Sequence, residues 1–122
     1  MSERELNLDV DVTIRDARTA VLSVAGELDM ETAHLLEQQL TQQLRQGRRH
    51  LVLDLSALDF MDSSGLNVLI RAVHKARETG GDLHLAAPTS AVRRILDITG
   101  VATTAPPHPG VAEALAAAAG TR

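Results

Sequence analysis

The chain has 122 residues, 44% of them apolar, which is enough for one ordinary core without covalent staples. Twelve basic side chains against sixteen acidic ones leave a net charge of −4, which argues against a general nucleic-acid binder, since that needs a basic face. Phe60 is the one aromatic residue, which nearly excludes base-stacking platforms, and the absence of cysteine excludes disulfides, thiolate metal sites and cysteine nucleophiles.

Leu8 to Ile14 alternates apolar Leu8, Val10, Val12 and Ile14 with polar Asp9, Asp11 and Thr13, which predicts a half-exposed edge strand. Ala20 to Ala25 is a nearly continuous apolar run, as in a more buried strand, and it ends at Gly26. Asp29 is placed to cap the next helix, whose apolar stripe is Ala33, Leu36, Leu40 and Leu44 and whose stop is Gly47. Leu51 to Leu55 predicts a third strand. Asp62 or Ser63 starts a second helix, with Leu66, Leu69, Ile70, Val73 and Ala76 on one face, ended by Gly80 and Gly81. Leu83 to Ala86 is a short strand, and Pro88 and Thr89 open a third helix that closes at Gly100. Val101 to Thr104 reads as a last short strand, Pro106 to Pro109 as a rigid loop, and Val111 to Ala119 as an Ala-rich helix.

This alternation predicts an α/β fold over one domain, 1–122. The sheet is mixed and mostly parallel, of about four or five strands, with an antiparallel N-terminal edge strand and about four helices. No apolar stretch approaches the ~18 residues of a membrane span. The charged start, Met1 to Glu5, lacks a signal-peptide core, so the expected compartment is the cytoplasm.

In such sheets sites form at the carboxyl ends of strands. Two stretches fit: Gly26-Glu27-Leu28-Asp29, and Asp59 to Gly65. The second places Asp62, Ser63, Ser64 and Gly65 at a helix start. Capping alone accounts for one such residue, yet three candidates stand in a row behind Phe60 and Met61. Gly65 costs a helix about 1 kcal/mol relative to Ala and would leave the helix end open to another protein or an anion.

A nucleophilic serine is poorly supported. Met61 stands where a nucleophile elbow around Ser63 needs glycine, and Asp62 and Leu66 spoil the same pattern around Ser64. The five histidines (His34, His50, His74, His84 and His108) read as solvent-exposed or strand-face residues, with no metal-ligand spacing among them. No P-loop or G-x-G-x-x-G is present. The expectation is therefore no catalytic residue, no metal and no cofactor. A serine offered to a kinase remains, and spacing alone does not choose between Ser63 and Ser64.

Asp62-Ser63-Ser64-Gly65-Leu66, preceded by Phe60-Met61, resembles the signature of STAS domains, specifically the bacterial anti-sigma-factor antagonists. Gly26-Glu27-Leu28-Asp29 is similar to that family's first loop, and Leu51 to Ser56 followed by Leu58 to its central strand. Gly80 to Leu83, Pro88, Val92-Arg93, Ile95-Leu96 and Thr99-Gly100 resemble its third segment. The resemblance implies a partner-switching cycle. The unphosphorylated domain binds an anti-sigma factor that is often also a serine kinase, and this frees the sigma factor. Phosphorylation falls on the position of Ser63, and a PP2C-type phosphatase resets the cycle. The same resemblance makes Gly26, Glu27, Leu28, Asp29, Asp62, Ser63, Ser64 and Gly65 the partner-binding surface. It implies an interaction module, monomeric or weakly dimeric, with no direct contact to nucleic acid or membrane. A STAS subunit of a lipid-transport or transporter complex, with no phosphorylation, is the alternative. Resemblance extends to no motif in the Pro106–Pro109 loop or the last helix.

Overall fold

The computed structural model describes residues 7–120. Four strands form the sheet: β1 (Leu8–Ile14), β2 (Thr19–Leu28), β3 (His50–Met61) and β4 (Asp82–Ala86). The helices are α1 (Ala33–Arg45), α2 (Ser63–Glu78), α3 (Ser90–Thr99), α4 (Val101–Thr104) and α5 (Val111–Ala119). The sheet order is β1-β2-β3-β4, with β1 antiparallel to β2 and the other pairs parallel. A tight turn makes the first pair a hairpin, whereas the parallel pairs need the crossovers that α1 and α2 supply.

Alternation along the strands divides the sheet into two faces. Leu22, Val24, Leu28, Leu51, Leu53, Leu55, Leu83 and Leu85 point to one side, where they form the main core with Leu36, Leu40, Leu66, Leu69, Val73, Val92 and Leu96. On the other side a small second cluster holds α5: Val52, Ala86 and Ala114 are buried, and Val21, Val111 and Leu115 pack against them.

The structure departs from the sequence reading in three places. β2 does not end at Ala25 but runs through Gly26 to Leu28, and β3 runs past Leu55 to Met61. Irregularities in their pairing, at Ser23/Ala25 and Gly26/Glu27, break the period that a simple pattern follows. Val101 to Thr104 is a helical turn, not a strand. Gly100, at φ 84°, reverses the chain after α3, and Val101 and Ala105 then bury against the core. The edge of β4 that a fifth strand would use is occupied by His108, whose N–H donates to Leu85 O at 2.8 Å while its carbonyl accepts from Ala87 N at 2.9 Å. The histidines follow the sequence reading: His34 and His74 are exposed, while His50 and His84 are strand-face residues, buried beneath α5.

Candidate functional site

β2 and β3 are adjacent and parallel, so the chain leaves both at the same end of the sheet. Glu27 pairs with Phe60, and Leu28 with Met61. The two stretches singled out in the sequence are thereby brought side by side. Asp62 N–H donates to the Leu28 carbonyl at 3.1 Å and ties one exit loop to the other.

The β3–α2 junction is built around Asp62. Its extended backbone (φ −107°, ψ −169°) ends the strand, and its carboxylate accepts from Ser64 N at 2.8 Å and Gly65 N at 3.2 Å. Two of the helix's orphan donors are satisfied in this way. Ser63 is the first residue of α2 and is exposed, and among the described residues its hydroxyl carries no hydrogen bond. Ser64 is half-buried. The two serines that spacing left equivalent are thus distinguished by access.

Gly65 serves a different purpose from the openness expected of it. It is buried, and its missing side chain is the space that Leu28 fills. Leu28, expected in the partner surface, is itself fully buried. It lies on the core face of β2, so it positions the loops and is not available to a partner. Gly26 has φ 112°, a left-handed conformation that side chains strain to adopt, and a Cβ there would run into the Asn7 carbonyl.

The β2–α1 connection also differs from expectation. Asp29 does not cap α1. Its carboxylate accepts from Glu31 N at 3.0 Å and Thr32 N at 3.2 Å, closing a turn before the helix starts. The N-cap is Thr32, whose hydroxyl is turned backwards instead of onto the helix. That hydroxyl donates to Glu27 O at 2.8 Å and accepts from Asp29 N at 2.9 Å. Thr32 is only 2% exposed and fastens the loop shut. A lone Thr directly after Glu31 carries no distinctive sequence pattern, so only the fold reveals its role.

Around Ser63 the surface is acidic and apolar. Residues 26–32 and 59–65 contain Glu27, Asp29, Glu31, Asp59 and Asp62 and no Lys or Arg. Met30 is 79% exposed and Phe60 47% exposed. Met30 is a second residue the sequence reading missed; its signal is a large apolar side chain between two acids in a turn. Among the described residues no group of three His, Asp or Glu side chains is placed to hold a metal. No helix of the described residues is long and apolar enough to cross a membrane.

Comparisons with known proteins agree with this architecture. An anti-sigma-B factor antagonist of Staphylococcus aureus is 29% identical over 96 residues, spanning 79% of this chain and 88% of that protein. The crystal structure of an anti-sigma factor antagonist from Mycobacterium paratuberculosis superposes with a TM-score of 0.83 at 35% identity, covering 92% of this chain and 94% of that one. The anti-sigma factor antagonist SpoIIAA in its unphosphorylated form shares the fold, with a TM-score of 0.81 at 20% identity over 93% of this chain and 99% of that one. The family model described as STAS domain matches residues 9–114. With that match over most of its length, the chain belongs to the STAS domain family.

Proposed function

We propose that this protein is an anti-sigma-factor antagonist, a single-domain interaction module and not an enzyme, and that Ser63 is its switch. One observation carries the reading: Ser63 presents an unbonded, exposed hydroxyl at the first position of α2, on a junction held rigid by Asp62. Similarity to proteins named as anti-sigma factor antagonists supports the role.

In the unphosphorylated state the surface formed by Glu27, Asp29, Asp62, Ser63 and Ser64, with Met30 and Phe60, binds an anti-sigma factor that is also a serine kinase, and the sigma factor is freed. The kinase phosphorylates Ser63, and a PP2C-type phosphatase reverses the change. The chemistry of the switch follows from the site. A phosphate adds about −1.5 to −2 charges. The N–H groups of Ser64 and Gly65 are already taken by Asp62, so the helix start has few donors left to absorb that charge. The phosphate therefore adds to a surface that already carries five carboxylates. Against a partner it must be desolvated, and an uncompensated buried charge costs about 2–5 kcal/mol, roughly thirty- to several-thousand-fold in affinity.

The test is a pull-down from the native cell extract with and without ATP, followed by mass spectrometry of the recovered protein. Capture of a kinase-type anti-sigma factor, and phosphate on Ser63, support the reading. Phosphate on Ser64 alone overturns the assignment of the switch. Capture of a transporter ATPase with no phosphorylation overturns the function in favour of a transport-complex subunit.

A further inference from the structure

At the other end of the parallel strands, away from Ser63, two histidine rings meet beneath α5. His50 opens β3 and pairs with Asp82, while His84 in β4 pairs with Val52. The two histidines are thus diagonal neighbours on the face that α5 covers. His50 is 3% exposed and His84 is 8% exposed. Nδ1 of His50 lies 3.1 Å from Nε2 of His84, with the ring centroids 5.3 Å apart. Such a contact holds one proton, because one nitrogen must donate and the other accept. Protonating both rings sets N–H against N–H. The remaining ring nitrogen of His50, Nε2, is buried and finds no hydrogen-bond partner among the described residues. An imidazolium at His50 would therefore bury an N–H with no acceptor.

The surrounding charges do not offset this. The β1–β2 turn brings Asp16 and Arg18 toward His50, and β4 brings Asp82. His84 faces Asp82 on its own strand, Arg77 from α2 and His108 from the loop before α5. Both carboxylates are engaged elsewhere: Asp16 accepts from Arg18 N at 2.8 Å, and Asp82 from Arg77 Nε at 3.0 Å and Leu83 N at 2.8 Å. From α5 the inward residues are Ala114 and Ala118, and its one titratable side chain, Glu113, is exposed. Burial is the main reason that both histidines are held below the ordinary histidine range.

α5 packs on β3 and β4 through a small cluster of its own. Its cluster contains three buried residues, of which Ala86 and Ala114 are small, and it is separate from the main core. His108 is pinned to β4 by two backbone hydrogen bonds, but α5 beyond Gly110 starts without a side-chain cap. A small apolar cluster separate from the main core lets the helix open without unfolding the rest of the domain.

We propose that the His50–His84 pair is a proton-operated latch for α5. The helix docks while the rings share a single hydrogen bond, and it releases when the pair takes up more protons. Release uncovers the apolar strip of Val21, Val52 and Ala86. Undocked, the histidines titrate near their ordinary value of about 6.5; docked, they titrate lower. The docked state is therefore fully favoured above about pH 6.5 and loses ground as pH falls below it, by up to about tenfold per unit for each histidine.

Hydrogen exchange followed by mass spectrometry on the full chain at pH 7.5 and 5.5, corrected for intrinsic exchange rates, tests the latch. Protection of residues 111–119 should drop about ten- to hundredfold more than that of β2 and β3. A double variant, His50→Gln with His84→Gln, should lose this pH response. NMR titration of the unaltered protein provides a second readout that does not depend on the variant folding: both histidines should titrate below pH 6.5 with mutually dependent curves. The latch is overturned by unchanged α5 protection, by equal loss across the whole sheet, by either histidine titrating at or above 6.5, or by an undiminished response in the variant.

Discussion

Gly65 and Leu28 occupy one another's space. A Cβ at Gly65 would lie 2.6 Å from Leu28 Cγ, 2.7 Å from its Cδ2 and 3.0 Å from its carbonyl oxygen. The start of α2 can approach the end of β2 only because position 65 has no side chain. The same approach lets Asp62 N–H reach the Leu28 carbonyl, so the two exit loops are locked at one relative height.

Gly65→Ala should therefore destabilise the protein, although Ala favours a helix by about 1 kcal/mol over Gly. Overpacking of this kind costs about 1–3 kcal/mol, a drop of roughly 4 °C or more in melting temperature per kcal/mol in a domain of this size. Leu28→Ala alone should cost about 2–5 kcal/mol through its cavity. Combined with Leu28→Ala, the Gly65→Ala penalty should shrink, because the truncated side chain admits the new methyl group. Thermal melts of the two single variants and the double variant check this, and strict additivity would refute it.

Phosphorylation at Ser63 should change binding and leave the fold alone. The residue is exposed and its hydroxyl holds no structural bond among the described residues. A negative charge at a helix N-terminus is worth only about 0.3–1 kcal/mol, and repulsion from Asp62 in water is of similar size. Circular dichroism should be unchanged and the melting temperature should move by a few degrees at most, while affinity for the partner falls more than tenfold. Ser63→Ala should bind persistently and Ser63→Asp poorly. A large loss of helical signal on phosphorylation would show that the switch works by unfolding.

Thr32 holds the neighbouring loop through one hydroxyl. Thr32→Val keeps the shape but leaves the Glu27 carbonyl and the Asp29 N–H without their partner. The expected cost is about 1–3 kcal/mol, with Thr32→Ser close to the unaltered protein. Denaturant melts of the three forms measure it. Equal stability of the Val and Ser forms would mean that water replaces the hydroxyl.

Met30 and Phe60 offer a separate reading of the surface. Both are exposed, so Met30→Ser and Phe60→Ser should each alter stability by no more than about 0.5 kcal/mol. As apolar anchors at an interface, each should weaken partner binding by about 1–2 kcal/mol, five- to thirtyfold. Binding isotherms for the two variants decide it. Unchanged affinity in both would move the interface away from this end of the sheet.

Much of this fold is legible from periodicity. The alternation of Leu8 to Ile14 and the stripes of α1 and α2 give the correct element types, and Gly47, Gly80 and Gly100 mark three helix ends. Errors cluster where tertiary contacts override local pattern. Gly26 reads as a terminator, but its left-handed conformation lets β2 continue through an irregularity. Val101 to Thr104 has strand-forming residues but no edge to join, because His108 has taken it. The candidate site was visible as two short stretches. Their adjacency needed the parallel register of β2 and β3, and the burial of Leu28 and Gly65 needed the packing between those stretches. The His50–His84 contact joins residues 34 positions apart, beyond the reach of any local spacing.

The backbone bridge at His108 also bears on solubility. A strand with unpaired edge groups invites another chain to add to the sheet. At the C-terminal end of β4 that invitation is withdrawn, since residue 108 already bridges to Ala86. The opposite margin is β1, where Asp9 is exposed and Asp11 is exposed on the same face. A second copy pairing antiparallel through β1 would bring these exposed carboxylates near one another, a like-charge repulsion that weakens as salt rises. One margin is thus covered at its end by the chain's own backbone and the other carries charge, and both features disfavour runaway strand addition.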